Sequence, residues 1–259
     1  MLIINADDFG LSRPVNLATI DALEQGFCSS CSIMPNMPGF EEACELVQRH
    51  RLTDRVGLHL VLTEGTPITD PIKKANIFCD HNGHFHLSRK RRVVRVSAAV
   101  KRAMREEIEG QIARCRERGI GITHLDSHSH AHEEWAVASA VIQAARDSRI
   151  PRVRVCRTFG GGTSPVKWLY RWVVNLRIRA AGLAATDYFG APDDYLLFCR
   201  KYGPPEGMNI SWEVMVHPIH IGGRLFDGWL HRPLEDVISA LPMYEHGLPG
   251  AKRRKEAVS

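Results

Sequence analysis

The sequence predicts an α/β fold built on a mainly parallel sheet or barrel. Two patterns carry that reading. Short apolar runs of strand length alternate with segments of helical spacing along most of the chain, and such alternation favours parallel strands linked by helices. Acidic and histidine residues collect where the apolar runs end, as they do at the C-terminal mouth of parallel barrels. Composition suits one ordinary globular domain: 259 residues, 44% hydrophobic and 24% charged.

Residues 2–6 (LIINA) read as a buried strand, and 14–25 as a helix with Val15, Ala18, Ile20, Ala22 and Leu23 at helical spacing. Residues 29–34 form a second short strand, 40–50 a helix, and 56–62 (VGLHLVL) a third strand. In 80–86 (DHNGHFH) the Asn82-Gly83 pair signals a hairpin turn. Its three histidines suit a hairpin flanking the cleft better than a second metal site. A long amphipathic helix covers 97–118, followed by a strand at 123–127, a helix at 133–146 and a strand at 152–156. Gly160-Gly161-Gly162 is a flexible connection, not a phosphate loop, because no Lys-Ser/Thr follows it. Residues 208–216 form a late strand and 234–241 a last helix. The expected organisation is one domain over 1–248 and a disordered basic tail over 249–259.

Net charge is +5, concentrated in Arg89-Lys90-Arg91-Arg92 and Lys252-Arg253-Arg254-Lys255. Such runs are usually solvated, and no nucleic-acid-binding signature accompanies them, so nucleic acid is not an expected partner. Seven cysteines, an odd number with no leader-like segment before the first strand, predict free thiols in a reducing cytoplasm. Cys28 and Cys31 have redox-motif spacing, but no second pair supports a zinc site. No apolar run reaches membrane-spanning length.

The first strand ends in two adjacent aspartates, Asp7 and Asp8. Neighbouring carboxylates repel, and burial raises the cost. His59 lies in the third strand, and the string HLDSHSHAH places His124, Asp126, His128, His130 and His132 after the fourth. That density of ligand-type residues at strand ends points to a bound cation. If Asp8 ligates it, Asp7 stays ionised beside it and can take a proton from water. In the late strand Glu213, Met215 and His217 share one face. Glu213 then orients His217, reaches substrate, or is a surface charge. His124 and Asp126 read as partners that orient the ligands, and His130 and His132 line the cleft or are exposed. Arg154 and Arg157, at a strand end, are placed to contact a sugar or an acidic group.

The strings NADDFGLS, VGLHLVLTEGTPI, THLDSHSHAH and EVMVHP, in this order, resemble the YdjC-like carbohydrate deacetylases over roughly residues 1–245. The resemblance implies an irregular TIM-like (β/α) barrel of the glycoside hydrolase/deacetylase type. It also implies removal of acetyl groups from N-acetylated sugars with one divalent metal. Carried over position by position, it makes Asp8, His59 and His128 the metal ligands, Asp7 the general base and His217 the general acid. Zinc or magnesium is the expected ion, and mixed oxygen and nitrogen ligands also accommodate manganese, cobalt or nickel. The chain departs from the family after His217-Pro218: Ile219-His220-Ile221-Gly222-Gly223 stands where glycine usually follows directly, so the turn there should differ in shape.

The segment 166–183 (VKWLYRWVVNLRIRAAGL) sets Trp168, Leu169, Trp172, Val173 and Leu176 at helical spacing among Lys167, Arg171, Arg177 and Arg179. It has two readings: a core-packed helix with snorkelling arginines, or a helix lying in a membrane interface. The second suits a protein peripheral to the inner membrane of a bacterium. The stretches WEVMVHP and GGRL resemble the family branch associated with hopanoid biosynthesis, which implies a lipid-linked N-acetylglucosaminyl substrate carried on bacteriohopanetetrol. A soluble chitooligosaccharide, a phosphoester or other amide, and a silent glycan- or lipid-binding role are the alternatives. The sequence leaves oligomeric state open, a homodimer included.

Overall fold

Strand alternation decides the architecture of the computed structural model, which describes residues 1–87, 93–159, 164–205 and 207–242. Six parallel strands form one curled sheet: β1 (Leu2–Phe9), β2 (Ser30–Ile33), β3 (Val56–Leu60), β4 (Leu125–Ser127), β5 (Tyr188–Gly190) and β6 (Trp212–Val216). Their order across the sheet is β4-β3-β2-β1-β6-β5. The helices between them are α1 (Arg13–Glu24), α2 (Phe40–Arg49), α3 (Asp70–Lys73), α4 (Ala98–Glu117), α5 (Trp135–Asp147), α6 (Pro165–Ala180) and α7 (Pro192–Tyr202). Leu2, Ile4 and Ala6 of β1, Leu58 and Leu60 of β3, and Trp212, Val214 and Val216 of β6 belong to the apolar core that also takes in the buried faces of the helices. The alternate residues Asn5, Asp7, Ser30, Ser32, His59, Asp126 and Glu213 are equally buried but hydrogen-bond within a polar network. One face of the sheet is thus a hydrophobic core and the other a polar interior.

The segment 151–158 closes the ring irregularly. Arg154 N donates to Leu125 O at 3.0 Å, Val153 N to Ala184 O at 3.1 Å, and Thr158 N to Phe189 O at 3.1 Å. Only single bridges form there, at Leu125–Val153 and Arg152–Ala184. The strand expected at 152–156 is therefore a linker between two sheet edges. The fold is an irregular TIM-like (β/α) barrel.

Sequence periodicity missed β5 and α7, and it missed a small antiparallel sheet of β7 (Pro218–Ile221), β8 (Arg224–Asp227) and β9 (Arg232–Pro233), which precedes α8 (Leu234–Ser239). Ile221 pairs with Arg224 across Gly222 and Gly223, both at positive φ. That two-residue turn is the one Gly-Gly favours. The 80–86 hairpin is present as a Cys79–Phe85 bridge with Gly83 at φ +77°. The basic runs 89–92 and 252–255, the 160–162 glycines and the 249–259 tail lie outside the described residues. No helix among the described residues is long and apolar enough to cross a membrane.

Candidate metal centre and cleft

Strict alternation would send Asp8 to the opposite face from Asp7, into the apolar layer. A β-bulge prevents this. The β1–β2 register runs Ala6 to Cys31 and then Phe9 to Ile33, three residues against two. Asp8 absorbs the extra residue at φ +67°, a conformation aspartate tolerates better than most side chains. Both carboxylates therefore reach the same mouth of the barrel.

Their partners differ. Asp7 is clamped by a buried guanidinium: Arg154 Nη1 donates to its Oδ2 and Nη2 to its Oδ1, each at 2.7 Å, while Asn5 Nδ2 donates to Oδ1 at 2.8 Å. Arg154 also meets Asp126 Oδ2 at 2.7 Å and Glu213 Oε1 at 2.6 Å. Three carboxylates surround one cation, and Arg154 itself is 1% exposed. A sugar cannot reach it, so of the two contacts expected for Arg154 only the acidic one is present. Glu213 is buried and bonds Arg154, neither orienting His217 nor lying on the surface. Arg157 pairs with Asp194, Nε to Oδ2 at 2.6 Å.

Asp8 faces imidazoles instead. His59 Nε2 lies 3.1 Å and His128 Nδ1 2.9 Å from the same Asp8 Oδ1. Each ring touches a second carboxylate: His59 Nδ1 meets Asp126 Oδ1 at 2.8 Å, and His128 Nε2 meets Glu64 Oε1 at 3.0 Å. Burial opposes charge on Asp8, but the hydrogen bonds from His128 and His59 outweigh it and hold its acid well below the ordinary carboxylate range. Burial likewise opposes charge on His59, yet Asp126 and Asp8 push its pKa up to about 10. The test of fit is geometric: one carboxylate oxygen and two ring nitrogens converge on a point that a divalent cation would suit.

Two sets of ligand atoms lie within 4.8 Å of one another, Asp8–His59–His128 and Asp7–His59–Asp126. The second already holds a guanidinium on both aspartates, and a metal ion there would sit against Arg154. The first has no arginine or lysine in its described contacts and fits an ion better.

Beneath lies a supporting layer. Ser32 Oγ reaches His59 Nδ1 at 3.1 Å and donates to Asp126 Oδ2 at 3.0 Å. Ser30 Oγ donates to Asn5 Oδ1 at 2.6 Å. His124 holds Asn5 Oδ1 through Nε2 at 3.1 Å and Thr123 through Nδ1 at 2.9 Å. Burial pulls its pKa down to about 3, with help from the Arg152 charge, so it is a neutral strut. Gly57 makes room for it: a Cβ would stand 2.4 Å from His124 Nε2. His130 and His132 are buried, which overturns the exposed reading. The His130 ring packs edge-on to Phe189 at 5.6 Å, and His132 Nδ1 bonds Ser127 Oγ at 2.6 Å.

His217 follows β6 and lines a cavity of about 360 Å³ with Asp7, Asp8, Leu11, Val15 and Trp229. Among the described residues its buried Nδ1 has no hydrogen-bond partner. Asp227 fixes this corner, accepting from the backbone N–H of His217 at 2.9 Å, of Trp229 at 2.9 Å and of Leu230 at 2.7 Å. The Trp229 ring stands 5.7 Å from the His217 ring. Sequence reading missed Asn5, Ser30, Ser32, Glu64, Asp227 and Trp229. Alternation with Asp7 along β1 was the available signal for Asn5, and the alternation of Ser30 and Ser32 with Cys31 and Ile33 along β2 for the serines. Cys28 and Cys31 are buried free thiols, and burial pushes the Cys31 thiol up to about 12, opposite to a redox cysteine.

A model of the YdjC-like protein family matches residues 1–222. The chain belongs to that family. Similar relatives are carbohydrate deacetylases. That of Brevibacillus brevis is 37% identical over 159 residues, 61% of this chain, and the match spans 60% of that protein's length. That of Geobacillus stearothermophilus is 37% identical over 229 residues, 87% of this chain and 82% of the other. That of Halalkalibacterium halodurans is 29% identical over 220 residues, 85% of each. Two solved structures share the fold. One, from Enterococcus faecalis and named for cellobiose-phosphate cleavage, has TM-score 0.65 and 23% identity, covering 85% of this chain and 81% of its own. The lactam utilization protein of Thermus thermophilus has TM-score 0.50 and 16% identity, covering 94% and 95%.

Proposed function

We propose that the protein is a metal-dependent carbohydrate N-deacetylase. One observation carries this reading: two adjacent aspartates open on the same mouth, one facing two imidazoles and the other clamped by an arginine. Asp8, His59 and His128 would hold the divalent ion. Bound there, it supplies Lewis acidity toward the amide carbonyl and the attacking water. Asp7 takes the proton from that water; Arg154 and Asn5 hold both its oxygens in place. His217 donates a proton to the departing sugar nitrogen from its place beside Asp7 and Asp8 in the cavity wall. Acetate and a free amino sugar leave.

For the substrate we propose the N-acetylglucosaminyl head of a hopanoid lipid of the bacteriohopanetetrol type, with N-acetylated chitooligosaccharides second. The apolar lining of the cavity by Leu11, Val15, Ile219 and Trp229 favours an apolar neighbour beside the amide. Purified protein loaded with zinc or magnesium is incubated with both substrates, and acetate and amine are scored by mass. Acetate from the lipid, absent without metal, is the expected result. Acetate from chitooligosaccharide alone reassigns the substrate. Phosphate or a non-acetyl acid as product, or binding without turnover, contradicts the reading.

A further inference from the structure

Helix α6 buries a mixed face and exposes an apolar one. On a helix that covers a barrel, the apolar stripe faces the sheet and charges face water. Here Arg171 and Asn175 point inward beside Val174 and Ile178. Arg171 Nη2 is anchored to Glu133 Oε2 at 3.0 Å, and Asn175 Oδ1 accepts from Cys156 N at 2.7 Å. The outward face holds Val166, Trp168, Leu169, Trp172 and Leu176, with Trp168 55% and Trp172 50% exposed. Of the two readings of this segment, the core-packed one is therefore incorrect for its tryptophans. The patch continues beyond the helix. Leu197 and Tyr202 are exposed beside it, and a groove of about 940 Å³ runs between α6 and α7 over Phe159, Trp168, Trp172, Tyr188, Leu197 and Tyr202. Contiguous apolar surface of this kind marks a contact site.

Charge identifies the partner. Lys167 and Arg179 on α6 and Arg200 and Lys201 at the end of α7 are exposed around the apolar face. Asp187 is the acidic residue lining the groove, and it already accepts from Ser211 Oγ at 2.8 Å. A basic rim around a tryptophan-rich apolar face complements an anionic bilayer: indoles lodge at headgroup depth while lysine and arginine meet lipid phosphates. A second copy of the chain would bring like-charged rims together.

We infer that the α6–α7 face is a peripheral docking surface for anionic lipid bilayers. The inference is independent of the chemistry at the barrel mouth, and its test uses no turnover. The whole protein is spun with vesicles of phosphatidylglycerol and phosphatidylcholine, and tryptophan emission is recorded. Binding with a blue shift is expected on these vesicles, with little on phosphatidylcholine alone or at high salt. Trp168→Ala with Trp172→Ala should weaken binding at least about tenfold, and Lys167→Glu with Lys201→Glu about fivefold or more for each charge, with unchanged thermal melting. Absence of binding, equal binding to neutral vesicles, or tryptophan variants that bind like the parent would each overturn the inference. So would a concentration-dependent dimer, lost in the tryptophan pair and formed without vesicle binding, which would assign the face to a second copy.

Discussion

Asp7 and Asp8 are neighbours in the chain and opposites in the structure. Asp7 has a permanent counter-charge, the Arg154 guanidinium, held by Asp126 and Glu213 in the barrel interior. Asp8 instead faces two imidazoles, His59 and His128. Two carboxylates about 4 Å apart repel by about 4 kcal/mol in a protein-like medium. A pair side by side is stable only when each carboxylate has its own partners, and the partners here differ in kind: a guanidinium that holds Asp7 from the barrel interior, and two imidazoles that face Asp8 at the mouth.

Breaking the Asp8 side should have the largest effect on metal binding. Asp8→Asn removes the anionic ligand, and metal affinity should fall by at least about 100-fold, measured by titration calorimetry. The Asp7 side should instead fail through stability. Arg154→Met leaves three buried carboxylates without their cation and should cost about 3–5 kcal/mol in urea unfolding. An Arg154→Met protein as stable as the parent would mean those carboxylates are not ionised. Gly57→Ala pushes on His124 and, through Asn5, on Asp7. It should destabilise by about 1–3 kcal/mol and leave metal binding intact. The smallest effect is expected for Glu64→Gln, which removes only the outer partner of His128 and should weaken metal binding about tenfold with unchanged unfolding.

The proximity of residues 7, 8, 59 and 128 was legible because each ends a strand, and parallel strands bring their ends to one mouth. Asp8 was legible by type but not by direction, since its bulge depends on pairing with β2 and leaves no local periodic trace. Alternation grouped Glu213 with Met215 on one face without saying whether that face is buried, and both are buried. The partner of Glu213 is Arg154, 59 positions away on another segment, and sequence spacing carries no such pairing. Arginine is rarely a core residue, so Arg154 read as a contact to a sugar or an acidic group at a strand end; it meets acidic groups, but at the centre of the polar interior. β5 escaped notice because three residues are too few to show a period. α6 was visible as a helix, but which face it buries depends on Glu133 and Cys156 waiting beneath it.

The most direct test of the account is metal titration of three proteins side by side: the parent, Asp7→Asn and Asp8→Asn. Unequal partners predict that Asp7→Asn binds zinc within about threefold of the parent while Asp8→Asn loses at least about 100-fold. Equal losses in both would contradict the division between the two aspartates, and an Asp8→Asn protein that binds like the parent while Asp7→Asn does not would put the ion on the Asp7–His59–Asp126 set.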